Sequence, residues 1–227
     1  MKVGFIYSFI LATLLLASCS SSVEKTSEVA LNVDSSTPQA VQQPSSKSVA
    51  ALTENIKFKS ENGSEKFTLK PASNGAKLVD ATERELARLT VDPNQKIKIK
   101  NAQDQVLGYV VHQGDHWKLE NPDQTKELYI LRRQADGDYK LEDGTNRQLY
   151  RIKSRDYGFE IEAPPKQSLY KVKVKGDKIS LRNPNEQTVL YTKSNFLPIA
   201  IACFGFDALS QEQQAALAYA VNTTEGQ

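Results

Sequence analysis

From Lys96 to Lys193 the chain alternates apolar and charged residues in short runs broken by glycine. Trp117-Lys118-Leu119-Glu120, Tyr139-Lys140-Leu141-Glu142, Phe159-Glu160-Ile161-Glu162, Ile179-Ser180-Leu181-Arg182 and Tyr170-Lys171-Val172-Lys173-Val174-Lys175 all follow this rule. A period of two sends successive side chains to opposite faces of an extended backbone, so each run predicts a strand buried on one side. Ile56-Lys57-Phe58, Phe67-Thr68-Leu69, Leu86-Ala87-Arg88-Leu89-Thr90 and Lys96-Ile97-Lys98-Ile99-Lys100 extend the same pattern upstream, more loosely.

The runs recur at a fixed spacing. Tyr109, Tyr129, Tyr150, Tyr170 and Tyr191, each preceded by leucine directly or one residue earlier, stand 20, 21, 20 and 21 residues apart. Such spacing predicts one supersecondary unit used repeatedly. Within units sit the glycine turns Gly114-Asp115, Asp136-Gly137, Tyr157-Gly158 and Gly176-Asp177; between units lie Asp92-Pro93, Asn121-Pro122 and Asn183-Pro184, an order that type I turns favour. A two-residue Gly176-Asp177 loop sets Val174 opposite Ile179 and Val172 opposite Leu181, apolar against apolar. The Gly114-Asp115 and Asp136-Gly137 hairpins do not match so cleanly, which predicts a bulge or a longer loop at both.

The expectation is a mostly β fold of about 12–14 antiparallel strands between Ile56 and Lys193, joined up and down as a meander. Open sheets longer than about ten strands curl, split or close, and closure removes the exposed edges. A barrel of about twelve strands is too wide for its own side chains to fill. Phe196–Phe206 is the longest apolar stretch beyond the first nineteen residues and is apolar all round, as a buried helix is. It is expected to be the axle of the barrel, with Pro198 in its first turn. Asp207 and Ser210 are candidate starts for a second, short helix; Ser210 and Gln213 have the spacing of a capping box. A β-hairpin solenoid or a sandwich, with these helices outside, is the rival arrangement.

The strand-rich region begins only after a long preamble. Lys2, the apolar run Phe5–Leu16 and Leu16-Ala17-Ser18-Cys19 have the charged, apolar and small-residue regions of a cleaved signal. The tetrapeptide resembles the lipobox of bacterial lipoproteins, which implies removal of residues 1–18 and diacylation of Cys19 as the new N-terminus. Ser20, rather than an aspartate, points by the same resemblance to the outer membrane, facing the periplasm, if the cell has two membranes. Residues 19–52 are rich in Ser, Thr and Gln without a sustained period and read as a lipidated, disordered tether spanning about 30 Å on average. The folded domain is expected over 53–222, with 223–227 as a tail.

Charge then narrows the partners. The chain carries 29 Lys and Arg against 27 Asp and Glu; Lys2 is the one charge in residues 1–19, so the processed chain is at +1. That balance does not imply nucleic acid. The basic residues fall in rows, Lys96/Lys98/Lys100, Arg151/Lys153/Arg155 and Lys171/Lys173/Lys175, each on one outward face. Of these, Lys171, Lys173, Lys175, Arg151 and Lys153 are candidate contacts for anionic lipid headgroups. Such rows are also ordinary solvated faces, and Glu160 and Glu162 stand where they can offset Arg151 and Lys153.

A strand meander closed around an apolar C-terminal helix resembles the tubby C-terminal-like fold shared by tubby domains, LURP-one-related proteins and phospholipid scramblases. The resemblance covers about Ile56 to Asn222 and rests on the Leu-Tyr strand starts and the closing apolar stretch. It transfers no functional residue, because neither the phosphoinositide site of tubby nor the scramblase metal site has a counterpart.

Catalytic signals are weak. His112 and His116 flank Gly114-Asp115 and with Asp115 suggest metal ligation, but a third ligand of fixed geometry is not evident and turn histidines suffice. Asp136-Gly137-Asp138 and Asp143-Gly144 lack the spaced carboxylates of a calcium loop. Cys203 lies in the apolar stretch, where a thiol keeps a high pKa and packs as a small hydrophobe. Gly-x-Ser-x-Gly and the phosphate-binding and dinucleotide glycine motifs do not occur. The expectation is a non-enzymatic envelope lipoprotein without cofactor or metal, serving as a binding or structural module. A lipid-interacting protein and an envelope hydrolase with an unrecognised site are the alternatives.

Overall fold

The computed structural model describes residues 51–225; the signal segment, Cys19 and nearly all of the tether lie outside the described residues. Fourteen strands follow in chain order. They are β1 (Ile56–Lys59), β2 (Glu65–Ala72), β3 (Gly75–Asp80), β4 (Glu85–Val91), β5 (Ile97–Asn101), β6 (Val106–Gln113) and β7 (His116–Glu120). The second half comprises β8 (Glu127–Arg133), β9 (Tyr139–Asp143), β10 (Gln148–Arg155), β11 (Gly158–Ala163), β12 (Gln167–Lys175), β13 (Lys178–Arg182) and β14 (Thr188–Thr192). Each pairs antiparallel with its sequence neighbours, and β14 closes on β1 through Lys59 and Tyr191.

The two ends of this barrel are built differently. Every odd-to-even hairpin, from β1–β2 to β13–β14, carries a register shift in its pairing. The even-to-odd hairpins pair without one. The roughly 20-residue sequence repeat is therefore a hairpin with one bulged end, and bulges add the bend and twist that closure needs. At the bulged end Asp80, Asn101, Asn121, Asp143 and Asn183 each accept two backbone N–H groups of their own turn on Oδ1. The fourth residue of these turns is left-handed, as at Glu83, Asp104 and Glu186. We refer to the opposite end as the plain rim.

At the plain rim Val172 pairs with Leu181 and Val174 with Ile179, as the Gly176-Asp177 spacing predicts. The Asp136-Gly137 hairpin closes through the longer loop 134–138. Gly114-Asp115 corrects the expectation: Gln113 pairs directly with His116, so the loop has two residues and no bulge. Gly114, at φ +59°, supplies the left-handed turn residue that makes so short a loop possible.

The lumen is filled by the C-terminal segment. Pro198–Ala202 forms α1, continued by a 3₁₀ turn over Cys203–Gly205. Ile199, Ala202, Cys203 and Phe206 are at most 4% exposed, as an axle requires. The axle is nonetheless shorter than expected and is one of two plugs. Helix α2 (Gln211–Thr224) is buried continuously from Ala215 to Val221. Helix α1 packs toward β11–β13 and α2 toward β3–β7, so each plugs one side of the lumen. Alanines at 215, 216, 218 and 220 give α2 a narrow body that lies against both α1 and the wall. Its N-terminus is Ser210 in a full capping box with Gln213; Asp207 starts no helix and stays in the connecting loop.

Around the plugs, Phe58 stands 4.9 Å from both Phe67 and Phe204 and 5.5 Å edge-on from Phe196. Leu52 is buried before β1, and Thr223 and Thr224 are buried at the end of α2, so the packed unit runs from Leu52 to Thr224.

Candidate functional site

Because the helices occupy the lumen, the surface available to a partner is the outer wall and the rims. On that wall several of the basic residues meet acids supplied by the bulged turns. The left-handed turn residue projects its side chain back over the strands: Asp104 reaches Arg88 at 3.1 Å and Lys100 at 3.3 Å, and Glu83 reaches Lys70. Glu186 does the same for two of the candidate contacts, holding Lys171 at 2.8 Å and Lys173 at 2.7 Å. Hydrogen bonds from Lys171 and then Lys173 pull the Glu186 carboxyl down to about 2.

The other row is paired by the plain-rim loop 134–138 and by the neighbouring strand β11. Arg151 donates to Asp138 Oδ2 at 2.8 Å, and Asp138, itself buried, also accepts the Ser154 N–H. Lys153 meets Glu162 at 2.8 Å, while Glu160 serves Arg155 at 2.9 Å. Four of the five sequence candidates are thus engaged by carboxylates. The exception is Lys175, beside the plain rim and beyond the reach of the Glu186 turn; among the described residues it has no ion-pair partner.

Lys175 is not isolated. The two-residue turn sets it opposite Lys178, whose ammonium lies 4.0 Å from the centre of the Tyr191 ring. Lys173 similarly covers Tyr157 at 5.5 Å. Ile179 pairs with Thr192, which brings Lys193 alongside Lys178, and Lys59 pairs with Tyr191 on the closing strand. A shallow depression of about 570 Å³ lies among Tyr157, Lys173, Lys175, Lys178 and Arg182. A second, of about 510 Å³, follows the β1–β14 closure beside Lys57, Lys59 and Lys193. The sequence reading missed Lys178, Lys193 and Lys59; Lys178 was within its reach, since the Gly176-Asp177 loop alone places it across from Lys175.

The remaining candidates make contacts within the fold. His112 stacks on Trp117 with ring centres 5.1 Å apart and contacts the Gly114 carbonyl at 3.0 Å through Nε2. His116 Nδ1 lies 2.9 Å from Asp115 Oδ1, and this bond lowers the Asp115 pKa. No group of three or more potential metal ligands occurs among the described residues. Asp143 caps its own turn, with the Thr145 hydroxyl holding its carboxyl down at about 2. Burial pushes the Cys203 thiol far above its ordinary value.

Fold and surface together define a class: a fourteen-stranded antiparallel barrel plugged by its own C-terminal helices. No protein-family description matches the chain, and no curated protein matches it. Among solved structures, the X-ray structure of a protein from Arabidopsis thaliana is similar at a TM-score of 0.37 and 12% identity, over 63% of this chain and 81% of that one. A likeness of that size assigns no family.

Proposed function

We propose that this protein is a membrane-anchored envelope lipoprotein whose barrel is a non-enzymatic binding or structural module. The observation that carries the reading is Leu16-Ala17-Ser18-Cys19 placed directly after Lys2 and the apolar run Phe5–Leu16. In this reading Cys19 is cleaved free and diacylated, and Ser20 directs the chain to an outer membrane where the cell has one. The barrel supports the module role, because a lumen packed with aromatic rings and alanines leaves partners the walls and rims. The same helix-plugged meander supports placing the domain near the tubby C-terminal-like architecture.

The test is metabolic labelling with a fatty-acid analogue in a bacterial host, followed by mass spectrometry of the mature N-terminus. Acyl label on Cys19, lost in Cys19→Ala and accompanied by precursor accumulation when lipoprotein signal peptidase is inhibited, is the expected result. A mature chain with an unmodified thiol at Cys19 refutes the reading.

A further inference from the structure

The plain rim between β12 and β1 combines features that the rest of the barrel does not. Val174 is 43% exposed and is the exposed large hydrophobic of the described domain. It stands between Lys173 and Lys175 on the same strand, next to the turn. Lys175 and Lys178 face each other directly across the hairpin, an arrangement of like charges that destabilises a sheet. Some such pairs elsewhere are bridged, since Lys77 and Arg88 share Glu85 and Lys171 and Arg182 share Glu186, while Lys140, opposite Arg151 and Arg132, has no ion-pair partner of its own among the described residues. No carboxylate lies within ion-pair distance of Lys59, Lys175 or Lys178 among the described residues. Asp177 at the turn tip reaches Lys193 alone, at 3.5 Å with both side chains well exposed. The turn acids Glu83, Asp104 and Glu186 belong to the bulged end and do not reach Lys175 or Lys178, so positive charge stays uncompensated here.

Chain direction supplies the second, independent observation. Strand β1 runs from Ile56 toward the bulged turn 60–64, so residues 51–55 enter the barrel at the plain rim. In the acylation reading, the chain that leads back to Cys19 therefore joins the barrel at this rim.

We infer that the rim formed by Val174, Lys175, Lys178 and Lys193, with Lys59 beside it across the β1–β14 closure, is a docking surface for an anionic bilayer. Ammonium groups near an anionic membrane surface are each attracted to it, and long lysine stems reach headgroups, while Val174, on the strand's other face at the end of the hairpin, adds an exposed apolar tip at the rim. Tyr157 and Tyr191 lie beneath the Lys173 and Lys178 ammonium groups and add amphipathic rings to this surface. The orientation rests on the acylation reading; the docking chemistry does not.

The test therefore uses the unacylated chain from Ser20 to Gln227, which keeps every described residue. It is floated with phosphatidylcholine vesicles containing about one-third phosphatidylglycerol, at low and at high salt. The native chain is expected to float at low salt and to be released at high salt. The double variant Lys175→Glu/Lys178→Glu is expected to lose roughly tenfold or more in partitioning, and Val174→Ser to lose several-fold. The control Lys126→Glu, an exposed lysine in the β7–β8 turn, is expected to float like the native chain, and all variants are checked for native circular dichroism. Absence of flotation at low salt, or an equal loss in Lys126→Glu, overturns the inference. So does retention by an acidic polypeptide such as polyglutamate without vesicle binding, which assigns the rim to a protein partner. Each of these outcomes is separate from the fate of Cys19.

Discussion

Tyr129 and Tyr150 hold the two backbone polar groups of one residue, Ala208. The Tyr129 hydroxyl donates to the Ala208 carbonyl at 2.9 Å, and the Tyr150 oxygen accepts the Ala208 N–H at 3.1 Å. Tyr170, the next in the series, donates to Asp207 at 3.2 Å. Three consecutive tyrosines of the repeat thus fasten the loop between α1 and α2 to the barrel. Tyr129→Phe and Tyr150→Phe should each lower unfolding free energy by about 1 kcal/mol. Because both act on one residue, the double variant should fall short of the sum. Chemical denaturation of the four-member cycle measures this; strict additivity would mean that the loop is held from elsewhere.

Glycine is needed at some turns for conformation and at others for space. A Cβ on Gly75, at φ +149°, falls 2.0 Å from the Leu89 carbonyl oxygen, whereas one on Gly137, at φ +84°, meets nothing within 4 Å. Gly75→Ala should cost about 3 kcal/mol or more, combining backbone strain with a clash that no side-chain rotation relieves. Gly137→Ala should cost only about 1 kcal/mol, the left-handed term alone. Comparable losses in the two unfolding curves would contradict the close approach of β3 and β4.

Acid should weaken the bulged end. Asp143 and Glu186 are depressed to about 2 from ordinary values of 3.8 and 4.5. Groups held below their unfolded values add stability that is present in full above those values and is lost as pH falls through the folded pKa. Glu186→Gln should therefore melt below the native chain at neutral pH, with the gap closing between about pH 4.5 and 2 and shrinking in high salt. Asp143→Asn should be mild, because Asn101, Asn121 and Asn183 make the same two backbone contacts without charge. Melting temperature against pH checks both; a Glu186→Gln gap that persists at pH 2 argues against the ion pairs as its source.

Cys203 should behave as a core residue. With its thiol fully buried and its pKa raised by burial, alkylation of the native protein at pH 8 should be negligible and should rise only as denaturant unfolds the barrel. Rapid labelling without denaturant would show that the α1 plug leaves the lumen.

Much of this was written in local pattern. Alternation fixes which face each strand buries, the tyrosine spacing marks the repeat, and the Gly176-Asp177 register follows from loop length alone. The Gly114-Asp115 hairpin was misread because its apolar match is weak while its two-residue turn needs only a left-handed glycine. The weight of α2 was underestimated for a related reason. Gln211–Gln214 look solvent-bound, and alanine carries little hydrophobic signal, yet small side chains are what let a second helix share the lumen with α1.

The candidate site was less legible, since charge pairing crosses elements. Lys171 and Lys173 read as a free basic row in the sequence, but they are held by Glu186, more than ten residues downstream. Whether a basic residue meets a carboxylate depends on which acids the turns and the neighbouring strands bring over it.

The sequence by itself determined the half-buried strands, the hairpin repeat and an apolar segment that demands burial, because periodicity and turn chemistry act over a few neighbouring residues. Only the tertiary structure decided that two helices share the lumen, that turn and strand carboxylates neutralise most of the basic rows, and that Lys175 and Lys178 escape them at the end where residues 51–55 enter. Those outcomes depend on contacts between side chains of different elements, which exist only once the hairpins have packed side by side around the two helices.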